Sequence, residues 1–431
     1  MGPRRWEYAY AVLAVFAACR GLDLLFGWLS DTNGGALDDS NPIRLLALLA
    51  IYLVSAVLLL RHHSRDLLAI LSQNKLLLLT LLFILASAFW AIEPGTSFRR
   101  SSALILSTVF CFYLALRFKP VEILAIAAVA LGLVAALSLL AVVAVPSLGV
   151  YSDVKAGRWR GIIGINTLFG RMMVLGILIV WALRREQWRL SRYDAVLFLL
   201  FVVCALGAQA VTALAACMSG LAGMVLIWTA RPRRMPAYFR LAILALVALP
   251  AAVVAANFGD VLALVGRDST LSERVYIWQA AFDLGMQRPW LGAGYRSFWI
   301  EDYAWTAYYN MFGSANTEFG NGHNGYLDVW LELGVVGLVL FGLLLTQGFV
   351  RLLRQTRAGQ DAFGEFYGGL LFFLVVYSVA ERVLFEHTEL TWMLFTTGLI
   401  VLKWRERRSE QPRLLPDEVP VVEALGARRG L

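Results

Sequence analysis

The residue best suited to chemistry is His323, in the stretch NTEFGNGHNGYLDVWLELGVVGLVLF that runs from Asn316 to Phe341. A neutral imidazole accepts a proton near neutral pH, so a general base is one reading. The other is a turn and helix cap made by Gly322, His323 and Asn324. Asp328 and Glu332 follow four residues apart, which on a helix puts both carboxylates on one face, about one and two turns below the histidine. Such a pair suits acid–base work or a divalent cation. It equally suits orienting His323 or pairing an arginine such as Arg171, which stands inside an apolar run where a guanidinium is costly unless it faces a cavity or a partner. Arg160 and Arg274 stand at the ends of polar segments. Their planar forks fit phosphate oxygens, and also ordinary headgroup or helix-dipole contacts. Arg20 and Asp23, three apart, can satisfy one another.

These residues need a frame, and the composition says which kind. Of 431 residues 59% are hydrophobic and 16% charged, with a mean hydropathy of +0.68. That is the profile of a membrane protein, not of two or three soluble domains. The apolar residues fall into runs of about 17–25, the length an α-helix needs to cross a hydrocarbon core of about 30 Å. Only internally bonded backbone is tolerated there. The expected fold is therefore all-α and polytopic, with about twelve spans near 8–29, 43–60, 76–92, 101–116, 121–145, 162–183, 194–207, 211–229, 239–258, 325–348, 363–380 and 390–402. Only GAQA separates 194–207 from 211–229, but one helix over both would be too long for a single crossing.

Orientation follows from charge, because cytoplasmic loops collect Lys and Arg. With the N-terminus inside, Arg4, Arg5 and the segments RHHSRD, RFK, RREQWRLSR, RPRRM, RLLRQTR and KWRERR all fall on the cytoplasmic side. Both termini are expected there. The net charge of +8 and the pI near 9.4 are then largely a topology signal. No basic stripe interleaved with aromatics lies in a polar segment, so nucleic acid is not an expected partner. Cys19, Cys111, Cys204 and Cys217 lie in apolar runs without C-x-x-C spacing and read as buried apolar side chains, not as a disulfide framework or zinc ligands. The N-terminal apolar run continues to about Trp28 without a small-x-small cleavage site, and reads as a retained first span.

This divides the chain into spans one to nine (1–258), a long periplasmic loop (259–324), spans ten to twelve (325–402) and a cytoplasmic tail (403–431). Long loops in compact proteins are commonly functional. Within this one, TLSERVYIWQAAFDLGMQRPW predicts an amphipathic helix on the outer face, with a Thr270/Glu273 capping box and Val275, Trp278, Ala281 and Phe282 at helical spacing. The aromatic cluster FWIEDYAWTAYYNMF (298–312) suits stacking on sugar faces or an interfacial belt.

The motifs also resemble a known family. His323 and Asn324, then nine residues, then Gly334-Val-Val-Gly337 resembles the signature of the O-antigen ligase and polysaccharide polymerase superfamily. Arg274, Trp278 and the Pro289-x-x-Gly292-x-Gly294 turn look like the same superfamily's outer-loop segment. RWRGIIGINTLFGRMMVL and YSVAERVLFEHTELTWMLF resemble the ExoQ-like branch that polymerises exopolysaccharides. That branch commonly has a Lys where this chain has Ile165, and a Ser-rich segment where it has GAQAVTAL.

The resemblance implies a membrane glycosyltransferase that moves a glycan from undecaprenyl pyrophosphate to an acceptor sugar hydroxyl at the periplasmic face. His323 would be the base, Arg160, Arg274 and Arg171 would hold the pyrophosphate, and Asn324, Asp328 and Glu332 would support them. Neither a metal nor another cofactor is expected, since arginines can stabilise a leaving pyrophosphate. Expected partners are the lipid-linked donor, the glycan acceptor, the bilayer and other polysaccharide export proteins. The first expectation is a repeat-unit polymerase, the alternative a ligase acting on lipid A–core. An alternative of another class is a flippase or transporter, disfavoured by the lack of a visible internal repeat.

Overall fold

Prolines open three of the long helices, because a proline ring presets the helical φ and lacks only an N–H that the first turn would leave unbonded. In the computed structural model, which describes residues 3–29, 41–152, 155–187, 192–229, 274–299, 321–356, 361–387 and 389–410, these are α3 (Pro42–Gln73), α5 (Pro94–Arg117) and α6 (Pro120–Ala144). The others are α1 (Arg5–Ala18), α2 (Asp23–Leu29), α4 (Lys75–Ala86), α7 (Asn166–Gln187), α8 (Arg192–Ala208), α9 (Val211–Thr229), α10 (Arg274–Gly285), α11 (Gly325–Thr356), α12 (Ala362–Tyr377) and α13 (Leu390–Glu410). Short turns of helix also lie at 87–89, 146–149 and 161–163. No strand occurs among the described residues beyond one isolated bridge, Val150 to Trp159. The chain is all-α and polytopic: six described helices are long and apolar enough to cross a membrane, or seven if the bent pair 67–89 is one span.

Helices occupy each predicted segment except 239–258, which lies outside the described residues together with the capping box and most of the aromatic cluster. Several boundaries differ from expectation. The run 8–29 is two helices, broken at Arg20 with φ of 61°. Arg20 Nε meets Asp23 Oδ2 at 2.6 Å, as the spacing suggested, and Arg44 Nε approaches Asp23 Oδ1 at 3.4 Å. RHHSRD is helical instead of a loop: α3 is kinked at His63 and continues to Gln73, since nothing between Arg61 and Gln73 is Gly or Pro. The chain then turns by 83° into α4. For the same reason α13 runs through KWRERRSE to Glu410.

The break expected at GAQA is real but shorter, with only Gln209 and Ala210 between α8 and α9, and neighbouring segments bind it. Trp159 N donates to Gly207 O at 2.8 Å and Asn166 Nδ2 to Ala208 O at 3.1 Å. Further along, α9 lies close against α12, where a Cβ on Gly369 would come within 2.7 Å of Gly220 O. Small residues permit such approach of helices in membranes. All four cysteines are buried and unbridged, as expected. A second, smaller core of Ala281, Ala293, Phe298 and Leu331 joins α10 and the following loop to α11.

Candidate active site

Two glycine motifs that lie apart in sequence form one structural unit. Inside α11 the helix breaks at Gly334 (φ 66°, ψ −167°), a conformation in which a side chain is strained. The turn 289–294 docks into that break: Ala293 N donates to Leu331 O at 2.8 Å, Gly294 N to Glu332 O at 2.9 Å and Val335 N to Pro289 O at 2.9 Å. A Cβ on Gly334 would lie 2.1 Å from Trp290 O, and one on Gly292 2.4 Å from the Glu332 carbonyl carbon. The loop's other side is held by the end of α4, through Trp90 Nε1 to Leu291 O at 3.0 Å and Tyr295 N to Ser87 Oγ at 3.0 Å.

At the start of α11, the helix cap is Asn324, whose Oδ1 accepts from Tyr326 N and Leu327 N at 3.1 Å each. His323 precedes it in a left-handed conformation (φ 48°), its own N–H bonded to Asn321 Oδ1 at 2.9 Å. The imidazole therefore does no capping. Its Nδ1 lies 3.5 Å from Glu381 Oε2, and its side chain is 38% exposed while that glutamate is 10% exposed. Glu381 ends the turn after α12, which also receives Gly325 N on Ser378 O at 2.7 Å.

Neither carboxylate below His323 contacts it or Arg171, contrary to the reading that paired them. Asp328 Oδ1 accepts from Gly322 N and Trp299 Nε1, both at 2.8 Å, and so ties the loop to the helix. Glu332 instead receives Arg382 Nη2 at 2.7 Å. Arg382 Nε also reaches Glu386 Oε1 at 2.5 Å, and Arg296 Nη1 reaches the same oxygen at 2.8 Å. Burial would lower the charge on Arg382, but Glu332, Glu386 and Asp328 outweigh it and hold the guanidinium more firmly protonated than usual. Burial likewise pushes the Glu386 carboxyl up, yet Arg296, Arg382 and His387 overcome it and keep it below the ordinary range.

Arg171 joins this cluster from α7. It pairs with Glu389, donates Nη1 to Arg382 O at 3.1 Å and stacks 5.3 Å over the Tyr377 ring. Only 3% exposed, it has the partners that its place in an apolar helix requires. Tyr295, also buried, donates its hydroxyl to Phe385 O. The segment 378–389 is thus a hub on which α7, the loop after α10 and the start of α11 converge.

Arg160 is bonded within its own loop, Nε to Leu148 O at 3.0 Å and Nη2 to Ser147 O at 2.6 Å, over the Tyr151 ring. Arg274 is the first residue of α10, the helix that Trp278 anchors by donating Nε1 to Gly322 O at 2.7 Å. On that helix Ala281 is buried, while Phe282 is half exposed and packs on Trp330. Sequence reasoning missed Glu381, Arg382, Glu386 and Arg296. The available signal was the density of charge in AERVLFEHTE between two apolar helices.

Residues 195–342 match the family model described as O-antigen ligase. Over that stretch the chain is similar to the O-antigen ligase family. The chain is also 26% identical over 342 residues to the exopolysaccharide production protein ExoQ of Rhizobium meliloti (strain 1021), covering 76% of this chain and 77% of that protein. The resemblance read from the motifs is thereby borne out. The matched segment takes in Arg274, His323, Asp328, Glu332 and both glycine motifs, whereas Arg160, Arg171 and the hub 378–389 lie outside its limits.

Proposed function

We propose that the protein is a polymerase of exopolysaccharide or O-antigen repeat units, transferring a glycan from undecaprenyl pyrophosphate to a sugar hydroxyl of an acceptor at the periplasmic face. The observation that carries this reading is a half-exposed histidine set beside a glutamate, at the edge of a buried arginine–carboxylate cluster. The frame is the twelve-span arrangement with both termini cytoplasmic, the long loop 259–324 outside and the tail 403–431 inside, which the distribution of basic segments favours.

In the reaction, the acceptor oxygen attacks the anomeric carbon as the bond from that carbon to the pyrophosphate oxygen breaks. The leaving lipid pyrophosphate takes the electron pair, and the acceptor proton goes to His323. A proton on Nδ1, facing Glu381, leaves Nε2 as the accepting atom. The 3.5 Å separation is long, as acid–base contacts commonly are before substrate binds. Arg274, at a helix N-terminus, and Arg160 are proposed to hold the pyrophosphate. Arg171 has its guanidinium engaged by Glu389 and Arg382 O, so its part is to hold the hub in place for that anion. Asn324, Asp328 and Glu332 fix the geometry around the histidine.

The ligase reading, with lipid A–core as acceptor, is favoured by the description of the matching family model. The polymerase reading is favoured by the exopolysaccharide relative. Lipid-linked intermediates in a deletion strain separate them: accumulated single repeat units support the polymerase, accumulated long chains the ligase. Proteoliposomes given lipid-linked repeat units test the enzyme itself. A ladder of longer glycans is expected, and translocation without new glycosidic bonds would make the protein a transporter.

A further inference from the structure

The opposite end of α11 holds a cavity of about 390 Å³ among α3, α11 and α13. Arg351 lies 26 residues beyond Gly325, and the stretch of α11 after the break at Gly334 alone carries it about 26 Å along a helix, close to the thickness of a hydrocarbon core of about 30 Å. Arg351 is 4% exposed and fixed in the wall, Nη1 bonded to Asn74 Oδ1 at 3.0 Å and Leu399 O at 2.8 Å. Arg354 and Lys403 also line the cavity, with Glu406 offsetting Lys403 at 2.8 Å. Three cations against one carboxylate leave the lining positive. Among the described residues, the buried Oε1 of Gln347, also in the lining, has no hydrogen-bond partner.

The approach to this cavity is apolar. Val339, Leu343, Val350 and Leu353 are exposed on α11 at spacings of four, seven and three, which keeps them on one face leading to Arg354. An exposed apolar stripe that ends at the accessible cations Arg354 and Lys403, with the buried Arg351 behind them, matches a molecule with acyl chains and a phosphate head. An unmatched amide oxygen beside the cations matches a hydroxyl on that head. We propose that the cavity binds an anionic phospholipid of the phosphatidylglycerol kind, in the leaflet opposite the candidate active site. The phosphate lies against Arg354 and Lys403, a headgroup hydroxyl donates to Gln347, and an acyl chain follows the stripe. This assignment is independent of the catalytic reading.

Native mass spectrometry of the purified full chain tests it, with phosphatidylglycerol and phosphatidylcholine added in turn. Phosphatidylglycerol adducts are expected to survive activation at which phosphatidylcholine adducts are lost. Each cationic side chain near a membrane surface contributes about fivefold, so Arg354→Gln with Lys403→Gln is expected to weaken retention about 25-fold. Val350→Glu, which sets a carboxylate at an exposed lining position, gives a second variant with the same expected loss and an independent check should the first be poorly produced. Equal retention by wild type and Val350→Glu, or equal retention of both lipids, would overturn the proposal. Displacement of the lipid by millimolar inorganic phosphate would also overturn it, by making the ligand a soluble anion.

Discussion

Two groups of buried charges among the described residues invite comparison. Near the N-terminus, Glu7 pairs with Arg117, and Asp23 sits between Arg20 and Arg44. Around the hub 378–389, Arg171, Arg296 and Arg382 meet Glu332, Glu386 and Glu389. Apolar surroundings demand pairing in both places, so pairing by itself is no sign of function. The difference lies in origin and access. The hub draws its partners from α7, the loop after α10, α11 and the α12–α13 connection, and it borders an imidazole that solvent reaches. Convergence from distant parts of the chain onto an accessible proton acceptor distinguishes a site from a neutralised charge.

The largest effect is expected at His323. His323→Gln should lower polymerisation about 10²–10⁴-fold, the usual contribution of general base catalysis, with normal protein level. The cap belongs to Asn324, so glutamine cannot restore function by capping. Purified His323→Gln working at the wild-type rate would dissolve the distinction between the two regions.

Removing one partner of a buried pair costs about 3–5 kcal/mol, because a charge is left unmatched. Arg382→Met and Arg117→Met should therefore both lower the thermal midpoint of the detergent-solubilised protein by similar amounts. Their activities per folded molecule should part, falling sharply for Arg382→Met and staying near wild type for Arg117→Met. Equal specific activities would place the hub with the structural pairs. Smaller losses are expected at the proposed pyrophosphate ligands: Arg274→Lys keeps the charge but loses the fork, and charge-assisted bonds contribute about 1.5–3 kcal/mol, so about 10–100-fold in rate. Arg160→Lys should lose less, since its guanidinium already serves its own loop.

Gly334→Ala tests the scaffold beneath the site. The added methyl meets Trp290 O and requires a strained φ, which together cost about 1–3 kcal/mol. Increased proteolysis within 286–299 with α5 and α6 still protected is the expected readout. Uniform loss of protection would mean that the break in α11 supports the whole bundle and not the site alone.

Much of this architecture is legible in the residues. Long apolar runs locate the helices because a bilayer permits nothing else, and even the break at 209–210 follows from span length. The glycine motifs are legible as motifs, but their docking is not, since a positive φ at Gly334 shows only when the turn 289–294 is in place. Spacing puts Asp328 and Glu332 on one face of α11 but leaves their partners open, because spacing along one helix says nothing of what faces it. Glu381 was invisible for a related reason: a glutamate followed by an arginine at a helix end reads as solvated charge until the fold brings His323 beside it.

The smallest and most selective effect concerns acid. Glu386 is held below the ordinary carboxylate range against the push of burial, chiefly by Arg296 and Arg382, and Asp361 is held low in the same way by Arg405 at the far end of α12. For each group the unfolded chain binds more protons in the window between the folded pKa and the unfolded value of about 4. Stability from these carboxylates is thus complete above that value and is lost as pH falls through the folded one. Melting curves collected from about pH 3 to 6 should show Tm falling toward acid, with Glu386→Gln and Asp361→Asn each flattening the fall while lowering Tm at neutral pH. Both carboxylates answer to acid with the same sign, but only Glu386 belongs to the hub. Asp361→Asn should accordingly leave the rate at neutral pH unchanged and Glu386→Gln should reduce it, and a rate loss of equal size in both would show that the activity follows global stability instead of the cluster beside His323.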